Sequence, residues 1–170
     1  MNAIQERPAS LGNFRTGRTH QIDMLVIHVM EGFYGPTAAW FADSAAHDSA
    51  HFGIGVDGSI ARYVRESDTA WHAGNRDINA RSIGIELEGH SADVDAFTVK
   101  MMSALVELSR MLCLEFGIPL DRQHLIGHNE VPDPRCPGQF GGAGHHSDPG
   151  PYFDWSRFMS ALQSPSIGAV

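Results

Sequence analysis

Histidines and carboxylates that lie far apart in the sequence are the residues with the clearest capacity for chemistry. His28 ends the apolar run Met-Leu-Val-Ile, His128 follows Ile-Gly, and Asp148 precedes Pro-Gly-Pro. Two neutral imidazoles and one carboxylate can hold a zinc ion and leave its fourth tetrahedral position open for water. A carboxylate that is not a ligand, such as Glu86, is what a general base would be. Residues of these types indicate an open zinc site.

Spacing alone does not identify the ligands of such a site. The sequence contains 10 histidines, more than one metal site can use. His124 with His128, or His145 with His146, would be equally suitable pairs, and a single histidine in a strand is more often a core or surface residue than a ligand. The residue types therefore predict a kind of chemistry, and the choice of ligands stays open at this point.

Two apolar patterns predict the strands that would position these side chains. Residues 23–29 are apolar on both faces, which predicts a central strand of a covered sheet with His28 near its end. In residues 82–88, Ile and Leu alternate with polar residues, so that Glu86 and Glu88 share one face of a strand. Periodicity cannot choose between these two glutamates.

The remaining elements predict the fold class. Residues 50–56 and 59–64 flank Asp-Gly, which favours an antiparallel hairpin with a two-residue turn. Apolar residues recur at helical spacing over 96–116 and close with Gly and Pro, and a final helix is expected over 154–162. Strands mixed with helices predict a single α/β domain, in which a mixed central β-sheet carries helices packed on its faces.

The domain organisation follows from the length of 170 residues, which suits one domain with its own core. Residues 1–22 are polar and are expected to be irregular, residues 23–162 to form the catalytic domain, and residues 163–170 to be a tail or the start of a linker. The N-terminus lacks the basic start and apolar segment of a secretory signal, so that synthesis in the cytoplasm is expected.

Charge and hydropathy exclude two classes of partner. The formal net charge is -8 and the chain has a single lysine, which argues against binding a nucleic acid. The sequence has no apolar run near the roughly 20 residues that a membrane span needs. A monomer is expected, and the substrate is expected to be a smaller molecule or a polymer other than nucleic acid.

Six motifs in order carry a resemblance to a known family. They are Val-Ile-His28-Val-Met-Glu-Gly, Ser-Ala-His51-Phe, Ala-Trp71-His-Ala-Gly, Ser-Ile-Gly-Ile-Glu86-Leu-Glu-Gly, Ile-Gly-His128 and Ser-Asp148-Pro-Gly-Pro. Each motif is weak alone, but together, over residues 23 to 160, they are highly specific. The sequence resembles the zinc N-acetylmuramoyl-L-alanine amidases of the amidase-2 and peptidoglycan-recognition type.

The resemblance implies a role for each matching residue. It implies one Zn2+ held by His28, His128 and Asp148, and it selects Glu86 over its neighbour as the catalytic glutamate. His146 matches a position near the metal where a lysine or histidine could stabilise an oxyanion or pass a proton. Trp71 and His72 match the segment that lines the substrate cleft.

The third ligand is the point at which this sequence departs from the family pattern. The loop between His128 and Asp148 is longer than in compact relatives, and it contains Cys136-Pro-Gly. Some phage members use a cysteine thiolate near this position, and thiolate is an excellent zinc ligand. Cys136 is therefore an alternative to Asp148 as the third ligand. The Asp-Pro-Gly-Pro pattern favours Asp148.

Three functions are compatible with the family. The first is a lytic amidase, an endolysin or cell-wall hydrolase, which acts at the wall on peptidoglycan after release by a route other than a signal peptide. The second is a cytoplasmic amidase that recycles soluble anhydromuropeptides. The third is a peptidoglycan-binding module without activity, which the complete set of implied site residues disfavours.

Overall fold

The computed structural model describes residues 3–164, which form eight strands and four α-helices. The strands are Ile4–Glu6 (β1), Phe14–Arg15 (β2), Met24–Val29 (β3), Phe52–Ile54 (β4), Ile60–Arg62 (β5), Thr69–Ala70 (β6), Ser82–Leu87 (β7) and Leu125–Gly127 (β8). The helices are Tyr34–Ala42 (α1), Arg76–Arg81 (α2), Val99–Phe116 (α3) and Trp155–Gln163 (α4).

Six of these strands form a mixed sheet in the order β1-β5-β4-β7-β3-β8. The pair β4–β5 is antiparallel, and the other neighbours are parallel. The predicted α/β class with a mixed central sheet is confirmed. The hairpin connection spans residues 55–59 instead of two residues, because Gly58 N–H donates to the carbonyl of Gly55 and closes the turn there.

The alternation of β3 side chains separates the apolar core from the face that carries the chemistry. Leu25 and Ile27 are fully buried in the larger apolar cluster, together with residues of α3 and α4. Met24 and Val26 lie in a separate cluster with Ile78 of α2. Because side chains alternate along a strand, His28 shares the face of this second cluster.

Helix α3 covers the first face of the sheet. Met101, Leu105, Leu108 and Leu112, spaced by three or four residues, are fully buried, and Gly117 closes the helix in a left-handed conformation with φ 70°. The helix begins at Val99, three residues later than the pattern predicts.

The late start of α3 is due to Thr98, which caps it. Thr98 Oγ1 accepts the Met101 N–H at 3.1 Å and donates to the Val56 carbonyl at 2.5 Å. Thr98→Ala is expected to lower the free energy of unfolding by about 1 to 2 kcal/mol, because both the cap and the tie to the hairpin are lost. Urea unfolding measures the change, with Thr98→Ser as the control that keeps the hydroxyl. Equal stability of the alanine variant and the wild type would contradict this role.

The N-terminal segment, expected to be irregular, contains two short strands. Strand β1 pairs in parallel with β5 at the edge of the sheet, and β2 pairs with β6. The buried side chain of Asn13 donates to the carbonyls of Phe41 and Asp43 at 2.8 and 2.7 Å. Hydrogen bonds order this segment, and Ala9 and Ile22 are buried in apolar clusters. At the other end, Gln163 belongs to α4 instead of the expected tail, and residues 165–170 of that tail lie outside the described part.

Candidate metal centre and cleft

Three parallel strands bring the predicted site residues to one edge of the sheet. His28 lies at the carboxyl end of β3, Glu86 lies beside it in register on β7, and His128 directly follows β8. Ligands of open α/β sheets bind at this edge. The long loop after β8 then returns Asp148 to the same point, where its carboxylate accepts the Val29 N–H at 3.2 Å.

The side chains of His28, His128 and Asp148 converge. The Nδ1 atoms of the two histidines are 3.1 Å apart, and the Asp148 carboxylate lies 3.5 Å from His28 Nδ1 and 3.2 Å from His128 Nδ1. Ligand atoms about 2.1 Å from a tetrahedral metal ion are about 3.4 Å apart. All three residues are buried, so the residues fit a single metal ion.

Two of these residues have pKa values shifted towards the protonation states that a metal requires. Burial, together with the neighbouring His128, lowers the pKa of His28 to about 4. Burial alone would raise the pKa of Asp148, but the two imidazoles hold it well below its usual range. A neutral imidazole and an ionised carboxylate are the forms that bind metals.

Glu86 and Glu88 share a strand face but have different surroundings. Burial raises the pKa of Glu86 well above its ordinary value, and the nearby Asp148 raises it further. Glu86 Oε2 is buried and has no hydrogen-bond partner among residues 3–164. By contrast, the Glu88 carboxylate accepts the N–H groups of Tyr34 and Val56 at 3.0 and 2.8 Å. Glu86 Oε2 is available for proton transfer, whereas Glu88 holds the start of α1 and the hairpin connection.

His146 lies against one of the converging histidines. Its ring stacks on His128 with the centroids 4.3 Å apart and the planes 15° apart. Burial and the neighbouring His128 lower the pKa of His146. A neutral His146 can still donate one ring N–H into the cleft.

The converging residues lie in a cleft of about 910 Å³. Trp71, which is half-buried, lines the cleft as the sequence predicts. Phe33 and Trp40 also line it and are 65% and 53% exposed. The sequence patterns did not indicate that these two aromatic residues belong to the site. In the structure, Phe33 lies directly before α1 and Trp40 lies within it, and neither side chain is buried in the core.

His72 lines the cleft and also contacts one of the converging histidines. It is buried, Nδ1 lies 3.0 Å from His28 Nε2, and Nε2 lies 3.1 Å from Ser82 Oγ. Both ring nitrogens are thus occupied inside the protein. His72 contacts His28 and also lines the cleft, so that its contact with substrate stays a prediction.

Cys136 does not join the two histidines. Its ligand atom groups with those of Asp133 and His145, all within 4.8 Å of one another. His145 Nε2 and Asp133 Oδ2 are 2.7 Å apart, which anchors the long loop through a buried carboxylate. The geometry therefore favours Asp148 over Cys136 as the residue that completes the converging set.

A buried set of two histidines and one carboxylate, with an unpaired glutamate oxygen beside it in a cleft, is the kind of arrangement found in single-metal hydrolases. The Amidase_2 family model, described as N-acetylmuramoyl-L-alanine amidase, matches residues 18–151. The chain belongs to this family. The predicted family and the interpretation as an enzyme that hydrolyses amides are confirmed.

Similar proteins and structures agree with this assignment. N-acetylmuramoyl-L-alanine amidase A of Achromobacter lyticus is 34% identical over a match that covers 91% of this chain and 90% of that protein. The 1,6-anhydro-N-acetylmuramyl-L-alanine amidase AmpD of Escherichia coli is 36% identical over 75% of this chain and 66% of its own length. A crystal structure of an AmpD derivative superposes with a TM-score of 0.74 at 28% identity and covers 95% of this chain and 96% of that one.

Proposed function

We propose that this chain cleaves the amide bond between N-acetylmuramic acid and L-alanine in peptidoglycan, with one Zn2+ held by His28, His128 and Asp148. The observation that carries the proposal is the approach of these three side chains to within 3.1 to 3.5 Å of one another. When bound, zinc would polarise the amide carbonyl and lower the pKa of water to about 7.

The residues of the chain supply the proton transfers. Glu86 Oε2, unpaired at the base of the cleft, accepts the proton of the attacking water and returns it to the nitrogen of L-alanine. This return is needed because an amine cannot leave as an anion. Burial raises the pKa of the Glu86 carboxyl group towards neutral pH. A group that both accepts and returns a proton works best when its pKa is near the pH of the reaction.

Two further residues act on the substrate. A ring N–H of His146 donates to the carbonyl oxygen as negative charge develops there. Trp71 offers its ring face to the sugar or the peptide. Both side chains line the same cleft as Glu86, which supports these assignments.

The action on the cell wall is the first of two candidate roles. It is supported by the similarity to N-acetylmuramoyl-L-alanine amidase A of Achromobacter lyticus, whose name specifies no anhydro substrate and whose match extends over 91% of this chain. The second candidate, recycling of soluble anhydromuropeptides, is supported by the similarity to the AmpD enzymes, whose name specifies the 1,6-anhydro substrate.

No helix in the described range 3–164 is long and apolar enough to span a membrane.

Mass spectrometry of digested peptidoglycan tests the proposed function. Purified cell walls treated with the protein are expected to lose turbidity and to release peptides with a free L-alanine N-terminus, and a chelator is expected to stop both effects. Activity on soluble anhydromuropeptides with no effect on walls would favour the recycling role. If no such peptide is released from either substrate, even with added zinc, the amidase proposal is refuted.

A further inference from the structure

His72 connects the metal centre to the protein interior through a chain of hydrogen bonds. His28 Nε2 lies 3.0 Å from His72 Nδ1, His72 Nε2 lies 3.1 Å from Ser82 Oγ, and Ser82 Oγ lies 2.6 Å from the Ile78 carbonyl oxygen. The side chains of His28, His72 and Ser82 are all buried. The chain therefore starts at a fixed backbone acceptor and ends at a proposed ligand.

The chemistry of the groups fixes the direction of every bond. A carbonyl oxygen only accepts, so the Ser82 hydroxyl donates to it and accepts the N–H of His72 Nε2. A neutral imidazole carries one N–H, so His72 Nδ1 is an acceptor, and His28 must donate from Nε2. His28 Nδ1 then has no proton and directs its lone pair towards His128 and Asp148.

We propose that His72 and Ser82 are positioning residues that hold His28 in the one tautomer able to bind the metal through Nδ1. The inference rests on the proposed metal centre but not on the substrate. In the alternative tautomer, two unprotonated nitrogens would face each other at 3.0 Å in a buried site, and such unpaired groups are costly. Partners of this kind orient metal-binding histidines generally.

The surrounding residues form a site for the His72 ring. Asn79 Oδ1 accepts the N–H groups of His72 and Ala73 at 3.2 and 2.8 Å, which fixes the backbone. A Cβ atom on Gly84 would lie 2.5 Å from His72 Cγ, so only glycine leaves space for the ring on β7. These contacts give His72 of the Trp-His-Ala-Gly motif and Gly84 of the Ser-Ile-Gly motif a role in placing the ring.

The other histidine of the centre lacks an equivalent partner. His128 Nε2 is buried and has no hydrogen-bond partner within the part of the chain that the structure describes. The described hydrogen bonds therefore select the tautomer of His28 and not that of His128.

Zinc affinity of the full chain, measured by competition with a chelator, tests the proposal. His72→Phe keeps a planar ring but removes both ring nitrogens, and it is expected to weaken zinc binding about 10- to 100-fold. His72→Gln keeps an acceptor and a donor and is expected to restore affinity to within a few-fold of the wild type. Ser82→Ala is expected to have an intermediate effect, and His124→Phe, at a histidine outside the cleft, none.

A second readout needs neither zinc nor a variant that folds. Long-range 15N–1H NMR of the metal-free wild type, at a pH where His28 is neutral, is expected to show its proton on Nε2. A proton on Nδ1, or equal zinc affinity of the phenylalanine variant and the wild type, would overturn the proposal. Because neither readout uses peptidoglycan, failure here is distinguishable from failure of the proposed function.

Discussion

Glu86→Gln is expected to lower turnover about 1,000- to 10,000-fold while the protein keeps one zinc ion per chain. Glutamine has nearly the shape of glutamate but cannot accept the proton of the attacking water or return it to the leaving nitrogen. The ligands are untouched, and the raised pKa of Glu86 shows that its burial disfavours the charge that glutamine removes. Release of peptide from cell walls measures turnover, and elemental analysis measures zinc.

Glu88→Gln is the matched control for this prediction. Glu88 lies two residues away, directly after the end of β7, but its carboxylate accepts the N–H groups of Tyr34 and Val56. The substitution is expected to lower stability and to leave turnover within a few-fold of the wild type. Comparable turnover in Glu86→Gln and the wild type would remove Glu86 from the mechanism.

Asp148→Ala is expected to abolish stoichiometric zinc binding and, with it, activity. The substitution removes the carboxylate from the set of three converging residues. The decrease in zinc affinity is therefore expected to exceed the 10- to 100-fold decrease that is typical when a hydrogen-bond partner of a ligand is changed. Elemental analysis after dialysis against metal-free buffer measures zinc per chain, and circular dichroism establishes that the variant is folded.

Cys136→Ala is the control for the third ligand. Its thiol groups with Asp133 and His145 instead of with the two histidines of the centre. The variant is expected to keep one zinc ion and its activity. The opposite outcome, with zinc lost from Cys136→Ala and kept by Asp148→Ala, would assign the thiolate as the ligand.

The sequence predicts the elements whose pattern is local. The apolar run of β3, the alternation in β7 and the helical spacing in α3 each report directly on burial, and the structure contains all three. Strand β1 could not be predicted in this way. It is three residues long, none of them is buried, and it exists because β5, which lies far away in the sequence, offers a free edge.

The sequence indicates which side chains converge but not what supports them. The resemblance carried by the ordered motifs selects His28, His128, Asp148 and Glu86, and the structure places these side chains at one edge of the sheet. The role of His72 depends on which way a short connection between β6 and α2 turns its ring, and no periodicity records this. The position of Cys136 likewise depends on the path of a long loop.

Anomalous X-ray scattering at the zinc edge, from crystals of the protein grown with zinc, tests the central claim most directly. One peak per chain is expected, within about 2.0 to 2.2 Å of His28 Nδ1, His128 Nδ1 and an oxygen of Asp148. A fully occupied peak at Asp133, Cys136 and His145, with no peak between the two buried histidines, would contradict the account.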